Sequence, residues 1–148
     1  MTDSPPGGYA GDVSASAAFA DLQRSPEATL VDVRTVAEWA YVGVPVLASI
    51  GKSPVMLEWD RFPEGGLVPD FVGRLSAELE SRGIGRNAPL YFICRSGSRS
   101  RNAAILATAA GYVRSYNVKF GFEGRLGPDH HRATEGSWKA EGLPWAQS

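Results

Sequence analysis

One short segment of the chain combines a nucleophile with cations and small residues. Cys94, the only cysteine in the sequence, follows directly on the apolar run 90–93. The next five residues are two arginines and three small residues: Arg95, Ser96, Gly97, Ser98 and Arg99. Residues 100–110 are rich in alanine and contain neither glycine nor proline, which predicts a helix. The thiol is therefore expected on a tight turn between the end of a strand and the start of a helix.

Such a turn creates an environment for an anion. Its N–H groups, together with the unpaired N–H groups of the first helical turn, converge on one point. These dipoles and the cations Arg95 and Arg99 favour the thiolate, which is the nucleophilic form of cysteine. We therefore predict nucleophilic attack by Cys94, with the loop from Arg95 to Ser100 binding the substrate and stabilising the sulfur. Glycine at position 97 allows the turn to close without a side-chain clash.

Two other interpretations of Cys94 stay open from the residues alone. A lone free cysteine is more often a small buried core residue than a nucleophile. The polar neighbours of Cys94 favour the nucleophile, because an inert core cysteine would be expected among valine, leucine and alanine. The loop could also bind an anion while the thiol does no chemistry.

Length and composition indicate an ordinary globular protein. The 148 residues are 43% hydrophobic and 21% charged, which suits one domain with a sizeable core. A net charge of −1 favours no polyanion, so we predict no nucleic-acid partner. Because a single cysteine cannot form a disulfide within the chain, we expect a reducing compartment.

The chain also lacks the sequence signals of export and membrane insertion. Residues 1–11 have neither the basic start nor the apolar stretch of a signal peptide. No apolar run approaches the ~20 residues that a membrane span requires. We therefore predict a cytoplasmic protein with no membrane partner, a flexible N-terminal segment at 1–12 and a single domain at 13–148.

Strand and helix patterns alternate along the chain, which predicts an α/β fold. The predicted helices lie at 15–23 after a Ser14 cap, at 37–41, at 71–82 after an Asp70 cap, and at 100–110. The predicted strands lie at 29–33, 46–50, 55–59, 90–93 and 115–118. Strands separated by helices form a mainly parallel sheet with helices on both faces. Ligands of such sheets bind beyond the carboxyl ends of the strands, where Cys94 would lie.

The C-terminal third offers aromatic residues and two histidines, but no metal site. The adjacent His130 and His131 cannot both face one metal ion from a helix or a strand, so we expect a surface role. Trp138, Leu143 and Trp145 suggest a tail that packs on the core, in preference to an aromatic binding platform.

Three segments of the chain together resemble the single-domain rhodaneses, members of the rhodanese-like sulfurtransferase superfamily. The first is Leu30-Val31-Asp32-Val33-Arg34, followed by Glu38 and Trp39. The second is the loop from Cys94 to Arg99, and the third is Gly121-Phe122-Glu123-Gly124 with the later Trp138-Lys139 and Gly142-Leu143-Pro144. One departure is that residues 42–50 lack the histidine usual in the family. Another is that residues 51–70 are longer than in simple members, so Trp59 and Phe62 could form a pocket rim, a partner surface or a dimer contact.

The resemblance implies a rhodanese-like fold and a specific reaction. Cys94 would take the outer sulfur of thiosulfate or a related donor as a persulfide, and cyanide or a thiol would then remove it. Arg95 and Arg99 would hold the sulfonate of the donor. Asp32, Arg34 and Glu38 would form structural ion pairs. The resemblance implies no metal and no organic cofactor.

Two alternatives remain beside this enzyme. The chain could be a module that carries persulfide sulfur to an acceptor protein or only recognises a partner. Cysteine phosphatases and arsenate reductases share the position of the cysteine, but their signature places arginine six residues after it. Here Ser100 occupies that position, and the six-residue loop is small for a phosphoryl group.

Overall fold

The helices and strands alternate along the chain as the sequence predicts. The computed structural model describes residues 8–60, 68–124 and 136–147. The strands are β1 (Gly11–Val13), β2 (Thr29–Asp32), β3 (Val44–Pro45), β4 (Val55–Met56), β5 (Leu90–Ile93), β6 (Ser115–Val118) and β7 (Trp145–Ala146). The helices are α1 (Ala15–Arg24), α2 (Val36–Val42), α3 (Phe71–Ser81) and α4 (Ser98–Ala109), with a short 3₁₀ helix at Ala48–Ile50.

The main sheet has the strand order β1-β6-β5-β2-β4, and every pair in it is parallel. This confirms the predicted α/β architecture with a mainly parallel sheet. Strand β5 lies at the centre, between β2 and β6, and Cys94 is the next residue after it. The cysteine is therefore at the carboxyl end of the central strand, where ligands of parallel sheets bind.

The sheet has a hydrophobic core on each face because β5 is buried on both sides. Leu90, Phe92 and Cys94 alternate onto the face that α3 and α4 cover. Tyr91 and Ile93 point to the opposite face, which packs against α1 and the fully buried Trp138. Helices on both faces confirm the layered arrangement that the sequence predicts.

Helix caps lie where the sequence places them. Ser14 accepts a hydrogen bond from the N–H of Ala17 at 3.0 Å, and α1 begins at the following residue. Asp70 accepts from the N–H of Gly73 at 3.2 Å and caps α3, whose buried stripe includes Leu75 and Leu79. The loop helix α4 begins at Ser98, two residues before the predicted start.

The predicted strand at 46–50 is wrong. The extended residues are Val44 and Pro45, which pair antiparallel with β7, and residues 48–50 form the 3₁₀ helix. The N–H of Ile50 donates to the carbonyl of Leu47 at 3.1 Å, so the chain turns back on itself. Leu47 is buried as a core residue. An apolar run that anchors a turn in the core has the same composition as a short strand, and the pairing partner β7 lies about 100 residues away in sequence.

The sheet also extends further at one edge than predicted and less at the other. Strand β1, which the sequence analysis does not predict, pairs with β6 from Gly11 onward. Residues 1–7 lie outside the described part of the chain. At the other edge β4 covers only Val55–Met56 of the predicted 55–59.

A buried ion pair links β2 to the segment that follows α2. Arg34 Nη2 lies 2.7 Å from Asp32 Oδ2, and both side chains are fully buried. The same nitrogen donates to the carbonyl oxygen of Gly43 at 2.8 Å, and the guanidinium lies 4.1 Å from the centre of the Phe122 ring. These contacts confirm the structural pairing predicted for Asp32 and Arg34.

We expect Arg34→Met to lower the free energy of unfolding by about 3–5 kcal/mol, because it leaves Asp32 buried and unpaired. Urea denaturation followed by circular dichroism measures the change. Adding Asp32→Leu to the same chain should restore much of the loss, since both buried charges are then gone.

The matched control is Arg24→Met, which breaks the pair of Arg24 with Asp21 at 3.2 Å. The Arg24 side chain is 75% exposed, so its loss should cost no more than about 1 kcal/mol. Equal effects of Arg34→Met and Arg24→Met would contradict a stabilising role for the buried pair.

Candidate active site

The sulfur of Cys94 is buried and yet has polar neighbours. The residue is 1% exposed and belongs to the core beneath α4. The N–H of Gly97 donates to Sγ at 3.1 Å, and the hydroxyl oxygen of Ser100 lies 3.1 Å from Sγ. Cys94 thus has the burial of a core cysteine together with two hydrogen-bonding neighbours from its own loop and helix.

Two glycines allow the loop to lie directly on the chain that follows β6. Gly97 has φ +114°, and a Cβ on it would lie 2.3 Å from the carbonyl oxygen of Lys119. Gly121 has φ +63°, and a Cβ there would lie 2.5 Å from the carbonyl oxygens of Cys94 and Arg95. No other residue type fits either position without moving backbone.

The segment 121–124 also supplies hydrogen bonds that fix the loop. The N–H of Phe122 donates to the carbonyl oxygen of Cys94 at 2.8 Å. The N–H groups of Glu123 and Gly124 donate to the carbonyl oxygen of Arg95 at 3.0 and 3.1 Å. Residues 121–124, part of the third segment that resembles the rhodaneses, therefore have a structural role, because they determine the path of the loop around the sulfur.

The sulfur lies beside the N-terminal end of α4. Gly97 is the N-cap of this 12-residue helix, and its carbonyl oxygen accepts the N–H of Arg101 at 3.2 Å. The positive end of the helix dipole favours an anion at this position. Of the N–H groups predicted to converge from Arg95 to Ser100, that of Gly97 hydrogen-bonds the sulfur in the described structure.

The two arginines of the loop have different surroundings. The guanidinium of Arg99 makes a two-pronged ion pair with Glu38 at 2.7 and 2.9 Å, and it lies 3.5 Å from Asp60. The side chain of Arg95 is exposed, and within the described ranges no carboxylate pairs with it. An anionic ligand would have to compete with Glu38 for Arg99, whereas the side chain of Arg95 is open to solvent.

Glu38 links helix α2 to the loop helix. Burial raises the pKa of Glu38, but the hydrogen bonds and charge of Arg99 outweigh this, and the net effect is a lowered pKa. Burial in turn lowers the pKa of Arg99, and Glu38 more than reverses it, so the net shift is upward. Glu38 also accepts from the N–H of Thr35 at 3.1 Å in the capping box of α2. The pair therefore stays charged and confirms the structural role predicted for Glu38.

A series of hydrogen-bonded side chains extends beyond Ser100, and the sequence analysis does not predict it. The Ser100 hydroxyl oxygen lies 2.6 Å from Asn117 Oδ1, and Asn117 Nδ2 donates to Asp12 Oδ1 at 3.0 Å. The Tyr9 hydroxyl donates to the same oxygen of Asp12 at 2.8 Å. The sequence does contain one indication of this series, which is Asn117 in the predicted strand 115–118. Asparagine is depleted in strands and must be hydrogen-bonded when buried.

The other predicted positions pack on the core or lie outside the described residues. Trp59 packs edge-on against Phe71, with 5.0 Å between the ring centres, and is partly buried on the core. Trp138 is buried and donates to the carbonyl oxygen of Pro144 at 2.8 Å, and Leu143 is partly buried on the same core, which confirms the anchored tail for these two residues. The prediction is wrong for Trp145, which is 39% exposed and lies with its ring edge-on to Phe122. Phe62, His130 and His131 lie outside the described residues.

Neither a metal-ligand cluster nor a membrane-spanning helix occurs among the described residues. No three histidine, cysteine, aspartate or glutamate side chains in those ranges cluster as metal ligands would. None of the helices there combines the length and hydrophobicity needed to cross a bilayer.

Comparison with known proteins places the chain in a family. Residues 10–148 match the model of the STR4 middle domain. The chain is 34% identical over 134 residues to the uncharacterized protein RC0915 of Rickettsia conorii, and the match covers 90% of this chain and 95% of that protein. It is 31% identical to the chloroplastic protein THYLAKOID RHODANESE-LIKE of Oryza sativa subsp. indica, covering 91% of this chain but only 25% of that protein.

Solved structures show the same architecture. Rv0390 from M. tuberculosis superposes with a TM-score of 0.82 at 46% identity, over 95% of this chain and 99% of that one. The polysulfide-sulfur transferase homodimer of Wolinella succinogenes superposes with a TM-score of 0.54 at 23% identity, over 93% and 78% of the two chains, and shows the fold alone. The chain therefore belongs to the STR4 middle-domain family and has a rhodanese-like fold.

Proposed function

We propose that this protein is a sulfurtransferase that carries a sulfane sulfur as a persulfide on Cys94. The observation that supports the proposal best is the buried sulfur beside Gly97 N–H at the N-terminal end of α4. This environment favours negative charge on sulfur, and both the thiolate and the persulfide are anions.

The proposed reaction has two displacement steps at sulfur. The electron pair of the Cys94 thiolate forms a bond to the outer sulfur of thiosulfate, whose S–S bond breaks and leaves sulfite with the bonding pair. A nucleophile such as cyanide then attacks the outer sulfur of the persulfide. The Sγ–S bond breaks, thiocyanate leaves, and the Cys94 thiolate returns. Each step conserves charge and requires no cofactor.

Burial of the sulfur restricts what can donate to it. Because Cys94 is 1% exposed, a donor must present its sulfur at the end of a narrow group. Thiosulfate has such a terminal sulfur, and its three oxygens would remain outside. The exposed guanidinium of Arg95 suits these oxygens, since the partner of Arg99 is Glu38.

The alternative functions remain testable beside this one. A cysteine phosphatase needs its loop arginine to face the phosphoryl group. Here Arg99 is engaged by Glu38, which disfavours phosphatase or arsenate reductase activity. A persulfide carrier for an acceptor protein uses the same first displacement step. It differs only in how the sulfur is released.

The first step predicts a covalent product. Incubation with thiosulfate should raise the intact mass of the protein by the mass of one sulfur atom, and Cys94→Ser should abolish the gain. Mass spectrometry without reductant measures both. A wild-type chain that gains no sulfur from thiosulfate or polysulfide, or a Cys94→Ser variant that still gains it, would refute the persulfide.

Release of the sulfur separates the enzyme from its alternatives. Added cyanide should return the mass to its starting value and produce thiocyanate. A persulfide that neither cyanide nor a small thiol discharges would indicate the carrier. Hydrolysis of p-nitrophenyl phosphate without sulfur transfer would indicate the phosphatase.

If Arg95 binds the oxygens of thiosulfate, its loss should raise KM more than the loss of another exposed arginine. We expect Arg95→Gln to raise KM for thiosulfate about tenfold with a smaller change in kcat, because it removes one charge-assisted contact of ~1.4 kcal/mol. Steady-state thiocyanate formation measures both constants. The control is Arg114→Gln, whose side chain is exposed and donates to the carbonyl of Asn87 at 3.1 Å, next to the amino end of β6. Equal changes in KM for the two variants would mean that Arg95 does not bind the donor.

A further inference from the structure

The hydrogen bonds that run from Tyr9 to Cys94 have a determined direction. A carboxylate only accepts hydrogen bonds, so Asp12 requires donors from both of its neighbours. Burial, and then the hydrogen bond to Asp12, raise the pKa of the Tyr9 phenol, which therefore remains a donor. The other donor is the NH₂ group of Asn117. Asp12 thereby orients the amide, and the carbonyl oxygen of Asn117 must face Ser100.

Ser100 has one hydroxyl proton and two acceptors within reach. Asn117 Oδ1 lies 2.6 Å from the hydroxyl oxygen, and Cys94 Sγ lies 3.1 Å away. The amide oxygen cannot donate, so the shorter contact takes the Ser100 proton. The oxygen lone pairs then face the sulfur, which suits a thiol that donates its own S–H to Ser100. In this arrangement each of the contacts that join Tyr9 to Cys94 has one donor and one acceptor.

Negative charge on Sγ disrupts this arrangement. To stabilise a thiolate, Ser100 must turn its proton from Asn117 to the sulfur. Asn117 is 3% exposed, and its carbonyl oxygen would then be buried without a donor among the described residues, which is costly. If Ser100 does not turn, its lone pairs face an anion. In both cases the contact between Ser100 and Asn117 opposes the favourable effect of the Gly97 N–H on the thiolate.

A sulfur bound to Cys94 removes this conflict. In the persulfide the charge lies mainly on the outer sulfur, and Sγ no longer requires the Ser100 proton. Ser100 can then keep its hydrogen bond to Asn117. We propose that Asn117 is a positioning residue that acts through Ser100 to favour the sulfur-loaded form of Cys94 over its free thiolate. This inference rests on the proposed sulfurtransferase function.

The surrounding charges are part of the test. Charged and titratable side chains lie on the loop, on the hydrogen-bonded series from Tyr9 to Ser100 and on their neighbours in the described ranges: Arg95, Arg99, Glu38, Asp60, Asp12, Tyr9, Lys119 and Arg101. All of them remain in an Asn117→Val variant. Because Asn117 is neutral, the substitution changes no formal charge, and the Ser100→Ala background separates the effect of the Ser100 proton from the loss of the Asn117 donor to Asp12.

The experiment compares two readouts in Asn117→Val. Cys94 is the only cysteine, so the pH dependence of iodoacetamide alkylation reports its thiolate directly. We expect the alkylation midpoint to fall by about one pH unit, because Ser100 is free to donate to the sulfur. The equilibrium constant for loading by thiosulfate against sulfite, measured above both midpoints, should fall about tenfold for the same reason.

Two further variants isolate the role of Ser100. In a Ser100→Ala background, Asn117→Val should leave the alkylation midpoint unchanged, since no hydroxyl proton remains to be redirected. Asp12→Asn retains the shape of the site and allows the Asn117 amide to turn its NH₂ group toward Ser100. It should lower the midpoint more in the presence of Ser100 than in the Ser100→Ala background, and this comparison removes the effect of the lost charge.

The outcomes separate this inference from the proposed function. An unchanged or raised midpoint in Asn117→Val, or a shift that persists without Ser100, would overturn the role of Asn117. If Asn117→Val does not fold, the Asp12→Asn comparison decides. Failure of the wild type to form a persulfide would overturn the sulfurtransferase proposal and with it the loading effect. The alkylation midpoints would still show whether Asn117 controls the proton of Ser100.

Discussion

Close contact between two backbone segments positions the sulfur of Cys94. The loop after β5 lies so near to residues 119–121 that neither Gly97 nor Gly121 has room for a Cβ. Donors from residues 122–124 hold the first two carbonyl oxygens of the loop. With its path fixed in this way, the loop directs the Gly97 N–H at the sulfur and starts α4 beside it. The site therefore depends on β5 and β6 being neighbours at the centre of the sheet.

Charge holds helix α2 in place where packing does not. None of its residues is fully buried. At its start, Glu38 pairs with Arg99 of α4, and after its end the carbonyl of Gly43 accepts from the buried Arg34. Arg34 and Arg99, which lie in segments that resemble the rhodaneses, thus attach α2 to the sheet and to α4. Their guanidinium groups are committed to the fold, which leaves Arg95 as the loop arginine open to an incoming anion.

Local patterns allowed much of the fold to be predicted, and long-range pairing limited the rest. The caps Ser14 and Asp70, the strand 90–93 and the cysteine turn are encoded within a few adjacent residues, and all are found. The strand predicted at 46–50 failed because Val44 pairs with Ala146, far away in sequence. Asn117 was missed for a similar reason. Its partners Asp12 and Ser100 lie far apart in the sequence, and only the fold brings them together around Asn117.

A sulfur that must be loaded and unloaded needs an intermediate degree of stabilisation. A thiolate that is stabilised too strongly is a weak nucleophile and a poor partner for sulfane sulfur. The two contacts to Sγ differ in this respect. The Gly97 N–H is a fixed donor that favours any anion at the loop. The Ser100 hydroxyl has a single proton, and Asn117 competes for it at 2.6 Å. Under the proposed function only the free thiolate places full charge on Sγ, so this competition would penalise the unloaded state and not the persulfide.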